Sequence, residues 1–153
     1  MSEFFDEPDV VASSRGAGSA ECTLRAVGPG PQPLFPPTNS TSVSNGKGVV
    51  TNITSSSYAD RHFVIITQTR KFGSLLTAWT EDRIDGLTKT CDSHVLLGKR
   101  DDELLNVFAN QIMQRVAAHS SKPLLLSIAL DEDGRDPETF KAILEALFSI
   151  ASW

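Results

Sequence analysis

His62-Phe63-Val64-Ile65-Ile66-Thr67 and Leu124-Leu125-Leu126-Ser127-Ile128-Ala129-Leu130 are the two stretches on which the fold turns. A strand with one wet face alternates apolar and polar residues. These two hardly alternate, so as strands they are covered on both sides. Two amphipathic helical patterns lie in the second half of the chain. From Asp101 to about His119, Leu104, Phe108, Ile112 and Val116 recur every fourth position, widened by Leu105 and Met113. After Asp136 as a cap and Pro137 at the first helical position, Phe140, Ile143, Leu144, Leu147 and Ala151 form a second apolar face. Two helices cover one face of a small sheet. The opposite face of the apolar strands is left to a partner subunit.

Working outward, Gly48–Thr54 is β-branched and reads as an edge-like strand. Thr41–Ser44 is its hairpin partner through Asn45-Gly46, a pair that favours the type I′ turn. His62–Thr69 and Ser74–Thr80 read as a hairpin closed by Lys71-Phe72-Gly73, with Gly73 taking positive φ. Glu81–Thr88 is a polar excursion, and Lys89–Leu97 a further strand ended by Gly98. Strands come first and helices late. The expected fold is therefore α+β, a largely antiparallel β-sheet of about five to six strands with two α-helices packed on one face. In the last strand Leu124, Leu126, Ile128 and Leu130 belong beneath the helices. The smaller row Leu125, Ser127 and Ala129 suits close approach by another sheet.

Composition sets the domain plan. Residues 1–46 hold Pro8, Pro29, Pro31, Pro33, Pro36 and Pro37, six of the eight prolines, and no lysine. Such a segment buries too little apolar surface to offset the ordering of its backbone, about 1–2 kcal/mol per residue. It is expected to be a disordered Pro/Gly-rich extension, with residues 47–153 as a single domain. The net charge, 14 − 19 = −5, disfavours nucleic acid. The basic pairs Arg70-Lys71 and Lys99-Arg100 read as solvated strand ends. No run is long enough for a membrane span, and Met1–Glu7 has neither the basic nor the apolar part of a signal peptide. With only Cys22 and Cys91, a disulfide framework is not expected, and a reducing cytoplasm or nucleus fits.

Catalytic and metal chemistry finds little support. His62, His94 and His119 have no cysteine or histidine at metal-ligand spacing. Cys91 has no base beside it, and Gly16-Ala17-Gly18 and Gly86–Thr90 lack the strand and helix context of a phosphate loop. Asp101–Glu103 and Asp131–Asp133 read as a helix start and a solvated loop rather than paired catalytic carboxylates. No catalytic residue, cofactor or metal is expected. Trp79 and Trp153 stand out, Trp153 as a plug of the sheet–helix seam or as contact surface.

Thr67-Gln68 followed by Phe72-Gly73 and a leucine-bearing strand resembles the central hairpin of the proteasome assembly chaperone 3 family. Val95-Leu96-Leu97-Gly98, a short acidic link and Val107-Phe108-Ala109 within a helix are similar to the same family, as are Leu124–Leu130 and the helix ending in Trp153. The resemblance covers about residues 49–153; the long front end and the Glu81–Thr88 insert depart from it. It implies a small non-catalytic chaperone, an antiparallel sheet with two helices, and pairing with a similar subunit of the proteasome assembly chaperone 4 kind, or with itself. It also implies action on proteasome α-subunits during ring formation.

The residues expected to meet partners are Leu125, Ser127 and Ala129 on the sheet, Phe72 beside it, and Asp82, Arg83 and Asp85 in the polar loop. Two other readings compete. A trafficking scaffold of the longin or roadblock kind would place a helix among the early strands, and no helical period lies between Val49 and Leu97. A small enzyme would build its site around Cys91 or His94.

Overall fold

The structure, a computed structural model, describes residues 35–153, of which Pro36–Trp153 form a compact unit. Six strands and two helices follow one another as β1 (Thr38–Ser44), β2 (Val50–Ser57), β3 (His62–Thr67), β4 (Ser74–Asp82), β5 (Lys89–Leu97), α1 (Glu103–Val116), β6 (Leu124–Ala129) and α2 (Pro137–Ile150), with a 3₁₀ turn at Glu132–Gly134. This is the expected α+β order. The expected boundary between residues 46 and 47 falls inside the β1–β2 hairpin, so the folded unit begins about ten residues earlier; the rest of the expected extension, residues 1–34, lies outside the described residues.

The sheet order is β1-β2-β3-β6-β4-β5. Every pairing is antiparallel except β3–β6, which is parallel with Val64 opposite Leu126 and Ile66 opposite Ile128. The two apolar runs are thus neighbours at the centre, where strands have sheet on both sides. This corrects the β3–β4 hairpin: β6 lies between those strands, and residues 68–73 cross its end, spanning two strand spacings, about 10 Å. It also corrects Gly73, which is not at positive φ; Arg70 is, at 59°. Gly73 is small for another reason. A Cβ there would sit 2.7 Å from Ala129 Cα and overlap the Ile128 carbonyl.

The first hairpin forms as expected, but β2 is interior and β1 is the edge. Its loop is not a two-residue type I′ turn: Ser44 pairs with Val50, and residues 45–49 are held by the Asn45 side chain, whose Oδ1 accepts from the amides of Lys47 and Val49. Gly48, not Gly46, takes positive φ. Asn45 Nδ2 donates to Thr139 Oγ1, tying this turn to the start of α2.

Both helices lie on the same face of the sheet: α1 packs on β4, β5 and β6, and α2 on β1 and β2. Asp102 caps α1 through the Leu104 amide, and Asp136 caps α2 through the Thr139 amide. Asp102 also holds Arg135 at 2.9 Å, and Phe108 meets Phe140 with ring centres 4.2 Å apart, so the helices are joined as well as stacked. The core beneath them contains Ile53, Val64, Ile66, Leu76, Leu124 and Leu126 from the strands and Phe108, Ile112, Ile143 and Leu147 from the helices. Leu104 and Phe140, expected within the buried faces, sit half-buried at the helix margins.

Candidate functional site

Alternation along each strand decides what the other face presents. Leu124, Leu126 and Ile128 point to the helices, so Leu125, Ser127 and Ala129 occupy the opposite, uncovered face, which no element among the described residues covers. Cross-strand register adds Phe63 and Ile65 from β3 and Leu75 from β4, with Leu97 opposite Leu75. Phe72 leaves the β3–β4 connection, 66% exposed, and stacks on Phe63 with centroids 6.4 Å apart. A β-bulge at Leu75/Leu76 leaves Leu96 as an extra residue beside Leu97, and both are exposed. The β1 and β2 parts of this face carry Ser40, Ser42, Asn52, Thr54 and Ser56. Among the strand residues of the face, charge is confined to the β4–β5 side, where Glu81 and Asp92 lie and Trp79 Nε1 donates to Glu81 Oε1 at 3.0 Å.

The centre therefore combines exposed or half-exposed apolar groups with few charges, which is the composition of an interface core. Ser127 marks it further. Its Oγ is buried on this face between Ile65 and Leu75 and has no hydrogen-bond partner among the described residues. Such a group carries a desolvation cost of about 1–3 kcal/mol until something bonds it.

Asp82, Arg83 and Asp85 do not join this centre. They lie at the β4–β5 tip, at the far end of those strands. The tip is rigidly closed: Arg83 N donates to Thr88 O, and the Asp85 carboxylate accepts from the Leu87 and Thr88 amides and from Thr88 Oγ1. Those bonds hold the Asp85 carboxyl below the usual carboxylate range. Ile84 and Leu87 stand out from it almost wholly exposed. The expected partner-contact residues thus occupy two places, a sheet centre with Phe72 at its margin and a hairpin tip. Phe63, Ile65, Leu75 and Leu97 lie in the first of these places and Ile84 in the second, and the sequence reading did not single them out. For β3 the signal was present, since a run apolar at every position must show some of its members on the uncovered face.

Cys91 and His94 do not form a shared site. Cys91 lies on the helix face against the core, while His94 is on the other face, opposite Thr77. Burial pushes the Cys91 thiol up, away from the thiolate a nucleophile needs. His62 is buried in a structural role. Its ring nitrogens lie 3.2 Å from Ser57 Oγ and 2.9 Å from Ser120 Oγ, and Trp153 packs edge-on at 5.7 Å. Burial, aided by the charge of Lys122, pulls its pKa below the ordinary histidine value. Trp153 also meets Phe148, so it seals the seam between sheet and helix. Among the described residues no three His, Cys, Asp or Glu side chains are grouped to hold a metal ion, and no helix is long and apolar enough to cross a membrane.

The described residues form a two-layer α+β domain, a six-stranded sheet with both helices on one face and apolar groups at the centre of the other. The sequence model of the family described as Proteasome assembly chaperone 3 matches residues 64–150. A Nematostella vectensis protein named Proteasome assembly chaperone 3 is 36% identical over 112 residues, covering 67% of this chain and 81% of that protein. The chain belongs to the proteasome assembly chaperone 3 family. Its fold is similar, with a TM-score of 0.59 and 12% identity, to a chain in the crystal structure of a chaperone complex for yeast 20S proteasome assembly, covering 73% of this chain and 96% of that one.

Proposed function

We propose that the protein pairs through its uncovered sheet face with a structurally similar chaperone, of the proteasome assembly chaperone 4 kind. The pair then promotes ring formation by the α-subunits of the 20S core particle, in the cytoplasm or nucleus and without catalysis. The observation that carries this reading is the buried Ser127 hydroxyl, unbonded among the described residues, amid an apolar sheet centre. A partner sheet laid on Leu125, Ser127 and Ala129 shields the apolar groups and supplies the missing hydrogen bond. Burial of that strip contributes about 25 cal/mol per Å², offset by the entropic cost of association. Family membership and the complex in which the structural relative was found support the same reading. The β4–β5 tip, with Asp82, Arg83 and Asp85 beside exposed Ile84, is the surface we assign to an α-subunit.

Affinity capture from native extract with the full chain as bait tests both parts. Recovery of a similar-sized chaperone and α-ring subunits is expected, with Leu125→Asp losing the chaperone. Arg83→Glu with Ile84→Ser is expected to keep the chaperone and lose the α-subunits. Recovery of neither class of protein would overturn the reading.

A further inference from the structure

The two basic pairs come to one end of the sheet. Arg70 and Lys71 follow β3, while Lys99 and Arg100 follow β5; those strands end on the same side because β3 and β5 both run opposite to β4 across the ladder. Gly98 packs against Ser74, with a notional Cβ 2.9 Å from Ser74 Cα, which brings the Lys99–Arg100 segment beside the start of β4. All four cations are exposed. The salt bridges among the described residues, Lys47–Asp133, Arg61–Asp60 and Arg135–Asp102, use none of them.

Arg70 and Lys71 overlook the uncovered face. With Phe72 they wall a cavity of about 410 Å³ whose floor is Asn52, Ile65 and Thr67. Those three floor residues belong to the outward rows of β2 and β3. The wall is fixed before anything binds: Thr67 Oγ1 donates to Lys71 O at 3.1 Å and accepts from the Lys71 amide at 3.3 Å. Arg70 is held at φ 59°, a conformation that costs a non-glycine residue and persists only where its surroundings impose it. A fixed wall loses little conformational freedom on binding. In a protein of net charge −5, a corner with paired cations, an exposed phenylalanine and an isoleucine floor is complementary to carboxylates flanking an apolar side chain.

We propose that this corner seats an acidic segment of the partner's facing surface, its apolar side chain against Ile65 and Phe72 and its carboxylates against Arg70 and Lys71. The assignment rests on the pairing reading above, because the cavity is continuous with the apolar strip through Ile65. Its function is orientation. Apolar strips slide, whereas a charge clamp at one end of the sheet fixes which way the partner lies and speeds encounter.

The test uses the full chain and the partner chaperone recovered by the capture experiment, with affinity measured by calorimetry at about 50 mM and about 500 mM NaCl. Arg70→Gln with Lys71→Gln is expected to weaken binding about tenfold at low salt and less than about twofold at high salt. Phe72→Ser is expected to weaken binding at both. If the double variant binds as wild type at low salt while Leu125→Asp abolishes binding, pairing stands and the acidic seat is overturned. If Leu125→Asp also binds as wild type, the pairing reading falls and takes this one with it. If the double variant leaves partner binding unchanged and instead weakens self-association of the chain, the occupant is a second copy and the proposal is overturned.

Discussion

Gly73 shows how one absent side chain lets a strand enter the sheet. β4 joins β6 with Ser74 opposite Ile128, and the residue before it passes directly over the Ile128 carbonyl and Ala129. Gly73→Ala forces backbone against backbone and is expected to cost about 3 kcal/mol or more in urea unfolding. Gly46→Ala, with nothing within 4 Å of the added carbon, is expected to stay within about 0.5 kcal/mol. The neighbouring Gln68 works by bonding rather than by space: Nε2 donates to Thr51 Oγ1 at 2.8 Å and Oε1 accepts from the Asp131 amide at 2.9 Å, with Gly134 pressed against its amide. His62 adds a pH dependence. Its folded-state pKa is lowered, so the unfolded chain takes up a proton first as pH falls through about 6.5. Stability is therefore full above that value and declines below it, until the folded state protonates too. The melting temperature is expected to fall by roughly a few degrees from about pH 7.5 to 5.5, and His62→Gln to lose that component. A pH response identical in the two proteins would contradict the burial argument. Asp85 and Asp136, held low by backbone amides, lose their contribution only at more acidic pH, as it drops through their depressed pKa values.

At the scale of elements, strand type and order were legible because periodicity is local, and pairing was not because it is not. The segment 68–73 carries the residues of a tight turn, and a turn that closes a hairpin differs little in sequence from one that vaults a strand. Only the presence of a second continuous apolar run at Leu124–Ala129 hints that it sits beside the first. The helix side of the sheet was legible in the large row of β6. The uncovered face was legible only in its small row, because Phe63, Ile65 and Leu75 reach it through register that no sequence window contains. Asn45 illustrates a junction invisible in sequence. Asn-Gly reads as a turn signal, yet Nδ2 bonds Thr139 Oγ1 at 3.2 Å across 94 residues. Asn45→Asp keeps the acceptor that closes the loop but loses this donor and sets a negative charge near Asp136. A loss of about 1–2 kcal/mol in chemical denaturation is expected. Asn45→Ala, which also opens the loop, should cost more than Asn45→Asp; the reverse order would assign the charge rather than the bond the larger part.

For the whole molecule, the two sheet faces are asymmetric, and adjacent residues separate the consequences. Leu126 is fully buried beneath the helices, whereas its neighbour Leu125 is half-exposed on the other face. Leu126→Asp places an unpaired charge in the core and is expected to abolish cooperative folding. Leu125→Asp places the same charge where water reaches it, so the circular dichroism spectrum and melting temperature should change little. Association responds in the opposite sense. The wild-type chain, with an apolar strip and exposed Phe72 uncovered, is expected to be dimeric or poorly soluble when purified alone. Leu125→Asp is expected to be a soluble monomer by size exclusion with light scattering. If the wild-type chain is itself a well-behaved monomer, and Leu125→Asp changes neither its mass nor its capture of a partner, the uncovered face is ordinary surface.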